Sequence, residues 1–400
     1  MPNPYAALLR VPGGPAFSAA SFVARLPISM LGIAIVLMVA SSTGRYGLAG
    51  GVSATFALAG ALVQPRLSRT IDRFGQTKAL PPQVVASSLA IGGLIWLSSA
   101  HAPSWALFVL AAVGGAAYPN IGALVRARWS KVLAGRPELR TAYSLESILD
   151  EVIFVFGPPF VTLLAARVGA GPALLSTVAF LSVGSVWLLA QRGTEPEPAG
   201  APHADGPSAF SLPGLRVVTL VMTMLGGVFG SVEVVTVGFA GQRHEPAVAG
   251  LVLALYAGGS MCAGVVYGAR PPQIPLRRQL LLLSIAVPFT VVAFPFVHST
   301  PLLAVLAFLA GLVVSPTLIS SFQLVETIVP GAQLTEGLTW ATTGITLGVS
   351  LSAAVSGRLV DALGTPHAYV VTSVCGVLTA LAAIGGHRWT RTGPAPVPQT

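Results

Sequence analysis

The sequence is poor in charge. Asp, Glu, Lys and Arg together make up only 9% of its 400 residues, whereas hydrophobic residues make up 54%, and the mean hydropathy is +0.78. A soluble domain needs many more charged residues to cover its surface, so this composition excludes one. We therefore expect an integral membrane protein whose main partner is the lipid bilayer.

Metal ligands, nucleophile motifs and phosphate-binding loops are also lacking. The two cysteines, Cys262 and Cys375, lie in separate apolar segments, and the sequence contains no Walker loop and no Ser-His-Asp elbow. Basic residues outnumber acidic ones by 22 to 13, but they are scattered over short segments. We therefore expect no catalytic residue, no metal site, no cofactor and no nucleic-acid partner.

What the sequence does contain is a series of apolar segments about 20 residues long, the length that crosses a bilayer. They predict an all-α protein with twelve transmembrane helices in two pseudo-symmetric six-helix bundles, at 1–192 and 214–400. The stretch 193–213 between them, rich in Pro, Gly and acid, predicts a disordered cytoplasmic linker. The predicted spans are 18–42, 47–66, 80–100, 103–125, 141–166, 172–191, 214–240, 247–269, 279–298, 301–324, 335–357 and 367–388.

The basic residues predict the orientation of these spans. Most Lys and Arg residues fall in segments on the side of the N-terminus, and those on the opposite side are Arg45, Arg167, Arg243 and Arg358. Because basic residues are retained in the cytoplasm, we expect both termini there and the protein in the inner (plasma) membrane.

A short charged stretch, Arg66 to Lys78, joins the second and third spans and carries four cations and one carboxylate. It predicts a tight cytoplasmic loop in which Asp72 lies near a helix end and Gly75 lets the backbone turn. Arg73 and Lys78 are then placed to bond carbonyl groups at helix C-termini.

This stretch resembles the signature between the second and third helices of the major facilitator superfamily: glycine, three residues, Asp-Arg, any residue, Gly and a basic pair. The chain departs from it at Ser68, which replaces the leading glycine, and at Gln76-Thr77, which replaces the basic pair. The resemblance implies a secondary transporter, not an enzyme, whose two halves alternate between inward and outward states around a midplane site. The matching positions, which form a conformational motif in the family, are Asp72, Arg73, Gly75 and Lys78.

Ionisable residues inside an apolar span are costly, so each is a candidate for function. Span five carries Glu146, Asp150 and Glu151. Glu146 and Asp150 share a helix face, and their repulsion favours a neutral acid, as a proton-coupled carrier requires. Alternatively, these acids pair with Arg25 or with loop cations and hold the helices together. Arg25 and Asp150 lie about 10 and 14 Å from the cytoplasmic end, so we expect Arg25 to pair with Asp150 or Glu151.

Gly157-Pro158, in the same span, is similar to the antiporter motif of drug exporters, in which this dipeptide distorts the helix. The rest of the motif does not match, since Ile153 replaces an upstream glycine. The alternative is a helix kink that neighbouring groups tolerate.

Other polar residues within spans are weaker candidates. Glu233 follows a stretch of small residues in span seven and either lines a central cavity, for protons or a cationic substrate, or bonds a neighbouring helix. Further candidates for the cavity are Tyr118, Asn120, Trp340 and Thr343.

Few fixed hydrogen-bonding residues line the spans, which suits an amphiphile better than a sugar. We therefore expect proton-coupled efflux of a small amphiphilic organic compound by a monomer. The alternatives are an importer of a small metabolite and, from another class, a membrane-embedded lipid-modifying enzyme, which would need the metal or histidine sites that the sequence lacks.

Overall fold

The computed structural model describes residues 4–100, 102–198, 207–243, 246–270 and 273–390. Within these ranges the secondary structure is helical throughout and no β-strand is present. The α-helices are α1 (Pro4–Leu8), α2 (Gly14–Arg25), α3 (Pro27–Thr43), α4 (Tyr46–Phe74), α5 (Gln76–Ser99), α6 (Ser104–Ala117), α7 (Ile121–Val132), α8 (Glu138–Arg167), α9 (Ala170–Ala190), α10 (Pro213–Gln242), α11 (Pro246–Ala269), α12 (Leu276–Val291), α13 (Thr300–Ile328), α14 (Leu334–Leu363) and α15 (Thr365–Gly386).

Twelve helical segments of the described chain are long and apolar enough to cross a membrane. The first joins α2 to α3, the fourth joins α6 to α7, and each of the others is built on a single long helix. Every segment overlaps one predicted span over most of its length, so the predicted all-α architecture with twelve spans is confirmed.

The helices form two compact units. The first contains α1 to α7, α9 and most of α8, and the second contains α10 to α15 together with residues 143–148 of α8. In the first unit α4 packs closely on α6 at Gly115, where an added Cβ would lie 1.9 Å from the carbonyl oxygen of Phe56. In the second unit α10 packs on α14 at Gly348, where a Cβ would lie 1.9 Å from the carbonyl oxygen of Thr223. Within each unit, small residues allow the helices to pack closely, as expected for helices in lipid, where the hydrophobic effect does not drive helix association.

Two predicted loops are partly helical, and the predicted linker has a short helical turn at each end. The charged stretch 66–78 was expected to be a loop, but α4 continues to Phe74 and α5 begins at Gln76, so only Gly75 interrupts the helices. The expected loop after residue 125 is occupied by the end of α7. Residues Arg192–Thr194 and Ala209–Ser211 form 3₁₀ turns at the two ends of the linker, which was expected to be disordered. A helix can continue through polar residues as long as its backbone groups stay paired. The polarity of the sequence therefore predicted helix ends too early. The linker residues 199–206 lie outside the described ranges.

Candidate functional site

A buried ion cluster lies in the first unit, where α2, α7 and α8 meet. Nη1 of Arg25 donates to Oδ1 of Asp150 at 2.7 Å, and Nη2 of Arg126 donates to Oδ2 of the same carboxylate at 2.8 Å. Both arginine side chains are 2% exposed, whereas the side chain of Asp150 is 33% exposed. One carboxylate therefore bridges two buried guanidinium groups and is itself accessible from one side.

Local helix geometry places the two arginines. Arg25 ends α2, where a cation interacts favourably with the C-terminal helix dipole, and its Nε donates to the carbonyl oxygen of Ser21 at 3.3 Å. The fourth span is broken at Tyr118–Asn120, and the side chain of Asn120 accepts from the backbone N–H of Ala123 at 3.0 Å, so it caps α7. Arg126 follows one turn into this second half-helix.

The Arg25–Asp150 contact is the pair that the similar depths predict, but Arg126 was missed. It was assigned to a loop because it follows the last strictly apolar residues of span four. In the structure the helix continues past the apolar residues of span four, and Arg126 and Arg128 are buried there together with Val125, Ala127 and Trp129. Glu146 lies one helical turn before Asp150 and is 0% exposed. Glu151 follows Asp150 directly and is partly buried.

Two charge-assisted hydrogen bonds to Asp150 therefore join α2 and α7 to α8.

At Gly157 α8 lies close to the first span. A Cβ at this position would lie 2.0 Å from the Oγ of Ser29, whose hydroxyl donates to the carbonyl oxygen of Ile153 at 2.8 Å. α8 continues through Pro158 to Arg167 without ending. The glycine is therefore needed for close helix packing, whatever bend the proline adds.

The turn between α4 and α5 depends on Gly75, as expected, and on a carboxylate that the sequence analysis missed. Gly75 has φ 84°, a backbone conformation that favours glycine, and a Cβ there would lie 2.9 Å from Oε1 of Glu195. The backbone N–H of Thr77 donates to the same Oε1 at 2.8 Å, and its hydroxyl donates to Oε2. Gly75 has no side chain that can cap α5, so Glu195, which is distant in sequence, caps the start of this helix instead.

Arg128 extends this network. It is 0% exposed, its Nε donates to Oε1 of Gln76 at 2.8 Å, and its Nη1 donates to the carbonyl oxygen of Gln191 and to the hydroxyl of Thr194, each at 2.8 Å. Nζ of Lys131 donates to the carbonyl oxygen of Glu195 at 2.6 Å. The start of the linker is thus fixed to the first unit.

The other motif residues lie around the same turn. Asp72 and Arg73 are partly buried near the end of α4, and the guanidinium of Arg73 lies 5.1 Å from the ring centroid of Phe74. Lys78 is exposed in the first turn of α5.

In the second unit Glu233 is exposed on α10, nine residues before the end of that helix. A carboxylate in a span is costly in hydrocarbon, so its exposed side needs water or a polar group. Glu233 does not belong to the ion cluster of the first unit.

The remaining candidates are covered by their own units. Tyr118 is 7% exposed and packs edge-on against Phe56, and Thr343 is 2% exposed. Trp340 stacks on Phe210 at 4.2 Å between ring centroids, and its Nε1 donates to Oε1 of Glu336 at 3.4 Å. Tyr118 and Trp340 thus make aromatic contacts within their own units, and Asn120 is a helix cap.

Among the described residues no group of three or more His, Cys, Asp or Glu side chains is arranged to hold a metal ion.

Comparison with known proteins places this geometry in context. The family model described as Major Facilitator Superfamily matches residues 17–270. A search of curated protein sequences finds no match. Three solved structures share the fold at low identity. The human organic anion transporter MFSD10 (TETRAN) has a TM-score of 0.66 at 15% identity, over 96% of this chain and 100% of its own. A bacterial homologue of the iron transporter ferroportin, in its outward-facing state, has a TM-score of 0.69 at 16% identity, over 93% of this chain and 98% of its own. A variant of the E. coli fucose:proton symporter FucP has a TM-score of 0.69 at 12% identity, over 95% of this chain and 99% of its own.

Proposed function

The chain belongs to the major facilitator superfamily and is a membrane transporter rather than an enzyme, and we propose that it exports a small amphiphilic organic compound in exchange for protons. The observation that supports proton coupling is the ion cluster, in which Arg25 and Arg126 share the partly exposed carboxylate of Asp150. A proton that reaches Asp150 weakens both bonds, so it changes how α2, α7 and α8 hold one another.

Coupling requires that the proton and the conformational change act on the same groups. Asp150 meets this requirement, because its carboxylate is accessible while its partners are buried. The exposed Glu233 on the second unit is our proposed contact for a cationic group of the substrate.

Export of an amphiphile is supported by the scarcity of charged side chains in the spans, since a sugar or other polar metabolite requires many fixed hydrogen bonds. We further propose that both termini lie in the cytoplasm of a bacterial-type inner membrane, that the protein acts as a monomer and that its two units alternate access to the substrate.

Inverted vesicles test direction and coupling together. They expose the cytoplasmic face, so an exporter accumulates substrate inside them when the interior is acidified, and an importer does not. Candidate substrates come from a thermal-shift screen of the purified protein against a chemically diverse panel at two pH values. A stabilising ligand whose accumulation ignores the proton gradient would refute proton coupling, and accumulation only in right-side-out vesicles would refute export.

A further inference from the structure

An apolar groove of about 730 Å³ runs between α4, α5 and α6 of the first unit, away from the ion cluster. Its walls are mainly apolar and include Leu67 and Phe74 of α4 and Val113 of α6. Phe74 is 50% exposed and Val113 is 48% exposed, so the groove is open along one side.

One end of the groove is positively charged. Lys78 lines this end and is exposed, and Arg73 lies over the ring of Phe74 at the same end. These residues adjoin the turn at Gly75, where α4 ends and α5 begins, so this end lies at the surface of the membrane. A lysine at that level attracts the anionic headgroups of lipids.

The length of the groove matches one leaflet. On α4 the lining extends from Val63 to Phe74 and on α5 from Lys78 to Ala86, which are about 16 and 12 Å of helix. Half of the hydrocarbon core of a bilayer is about 15 Å thick. A chain anchored at Lys78 would therefore reach the middle of the membrane where the groove ends.

We propose that this groove is a binding site for an anionic glycerophospholipid. Its phosphate lies beside Lys78, and one acyl chain fills the apolar groove. The site is separate from the ion cluster, because none of its lining residues belongs to that cluster.

The test is photo-crosslinking of the full-length protein in nanodiscs. The probes are phosphatidylglycerol and phosphatidylcholine that carry the same diazirine-labelled acyl chain, and the adducts are mapped by mass spectrometry. We expect adducts on α4 and α6 along the groove, with about a fivefold preference for phosphatidylglycerol, the ratio expected for one lysine near an anionic headgroup. Lys78→Gln should abolish this preference, while Arg270→Gln, which removes an exposed cation after α11, should preserve it.

Two further variants separate headgroup from chain. Ala86→Leu narrows the groove and should reduce crosslinking by both probes, whereas Ala179→Leu, on an exposed face of α9, should not. Adducts spread evenly over all exposed helix faces would overturn the proposal, as would a preference that survives Lys78→Gln or labelling that Ala86→Leu does not change. Absence of adducts along the groove with both probes would also overturn the proposal, since it would indicate that no lipid occupies the groove.

Discussion

Replacing Asp150 by asparagine tests the ion cluster directly. The substitution keeps the size of the side chain but removes the charge that accepts from Arg25 at 2.7 Å and from Arg126 at 2.8 Å. At an effective dielectric constant of about 20 and about 4 Å between charges, each attraction is worth roughly 4 kcal/mol before desolvation. Breaking a buried ion pair costs about 3–5 kcal/mol. The partial exposure of Asp150 lowers this cost through solvent screening, so we expect Asp150→Asn to reduce the free energy of unfolding by about 2–4 kcal/mol.

The assay has two parts. Thermal unfolding in detergent should show a lower midpoint for Asp150→Asn, and the double variant with Arg126→Gln should recover part of the loss, because it removes one of the unpaired buried cations. The coupling between the two sites should be about 1–3 kcal/mol in a double-mutant cycle. In inverted vesicles, Asp150→Asn should still exchange substrate across the membrane but should no longer concentrate it when the interior is acidified.

Two results would refute this reasoning. If the double variant were no more stable than Asp150→Asn, the two guanidinium groups would not depend on the shared carboxylate for their stability in the folded protein. If Asp150→Asn still concentrated substrate in response to the proton gradient, Asp150 would not be the group that carries the proton.

Three further predictions concern other parts of the structure. Gly157→Ala should destabilise the first unit by about 1–3 kcal/mol, since its Cβ would meet the Oγ of Ser29, and adding Ser29→Ala should restore part of the thermal midpoint; no recovery would exclude this clash as the cause. Glu195→Ala removes the cap from the start of α5 and should cost about 1–2 kcal/mol, whereas the exposed Glu197→Ala should be neutral; equal effects in thermal unfolding would contradict the capping role. Glu233→Gln should leave the free energy of unfolding within about 0.5 kcal/mol of the parent because the side chain is exposed, yet weaken the binding of cationic ligands in the thermal-shift screen; unchanged binding would remove this acid from the substrate site.

Much of the fold could be predicted from hydropathy. Each of the twelve spans is an apolar stretch long enough to cross a bilayer, and backbone pairing in lipid requires a helix there. The ends of the helices could not be predicted in the same way. α4 and α7 continue through charged residues, because helices extend beyond the hydrocarbon wherever neighbouring elements pair their polar side chains.

The candidate site was only partly predictable. Arg25 and Asp150 stand out because each is a charge in an apolar span, and their similar depths suggested the contact that the structure contains. Arg126 and Glu195 did not stand out, since each lies in a stretch that is polar enough to resemble an exposed loop. Their partners are 24 residues away in one case and 118 in the other, a separation that local patterns do not reveal.

The sequence by itself determined that the chain lies in a membrane and crosses it as twelve helices, because the free energy of burying an unpaired backbone or a charge in lipid depends on residue type and length alone. The tertiary structure decided which charges meet: Asp150 bridges two arginines from different helices, and Glu195 caps a helix that begins far from it in sequence. Such contacts depend on how helices rotate and pack against one another, and this rotation is set by close approaches at residues such as Gly115 and Gly157 that hydropathy does not distinguish.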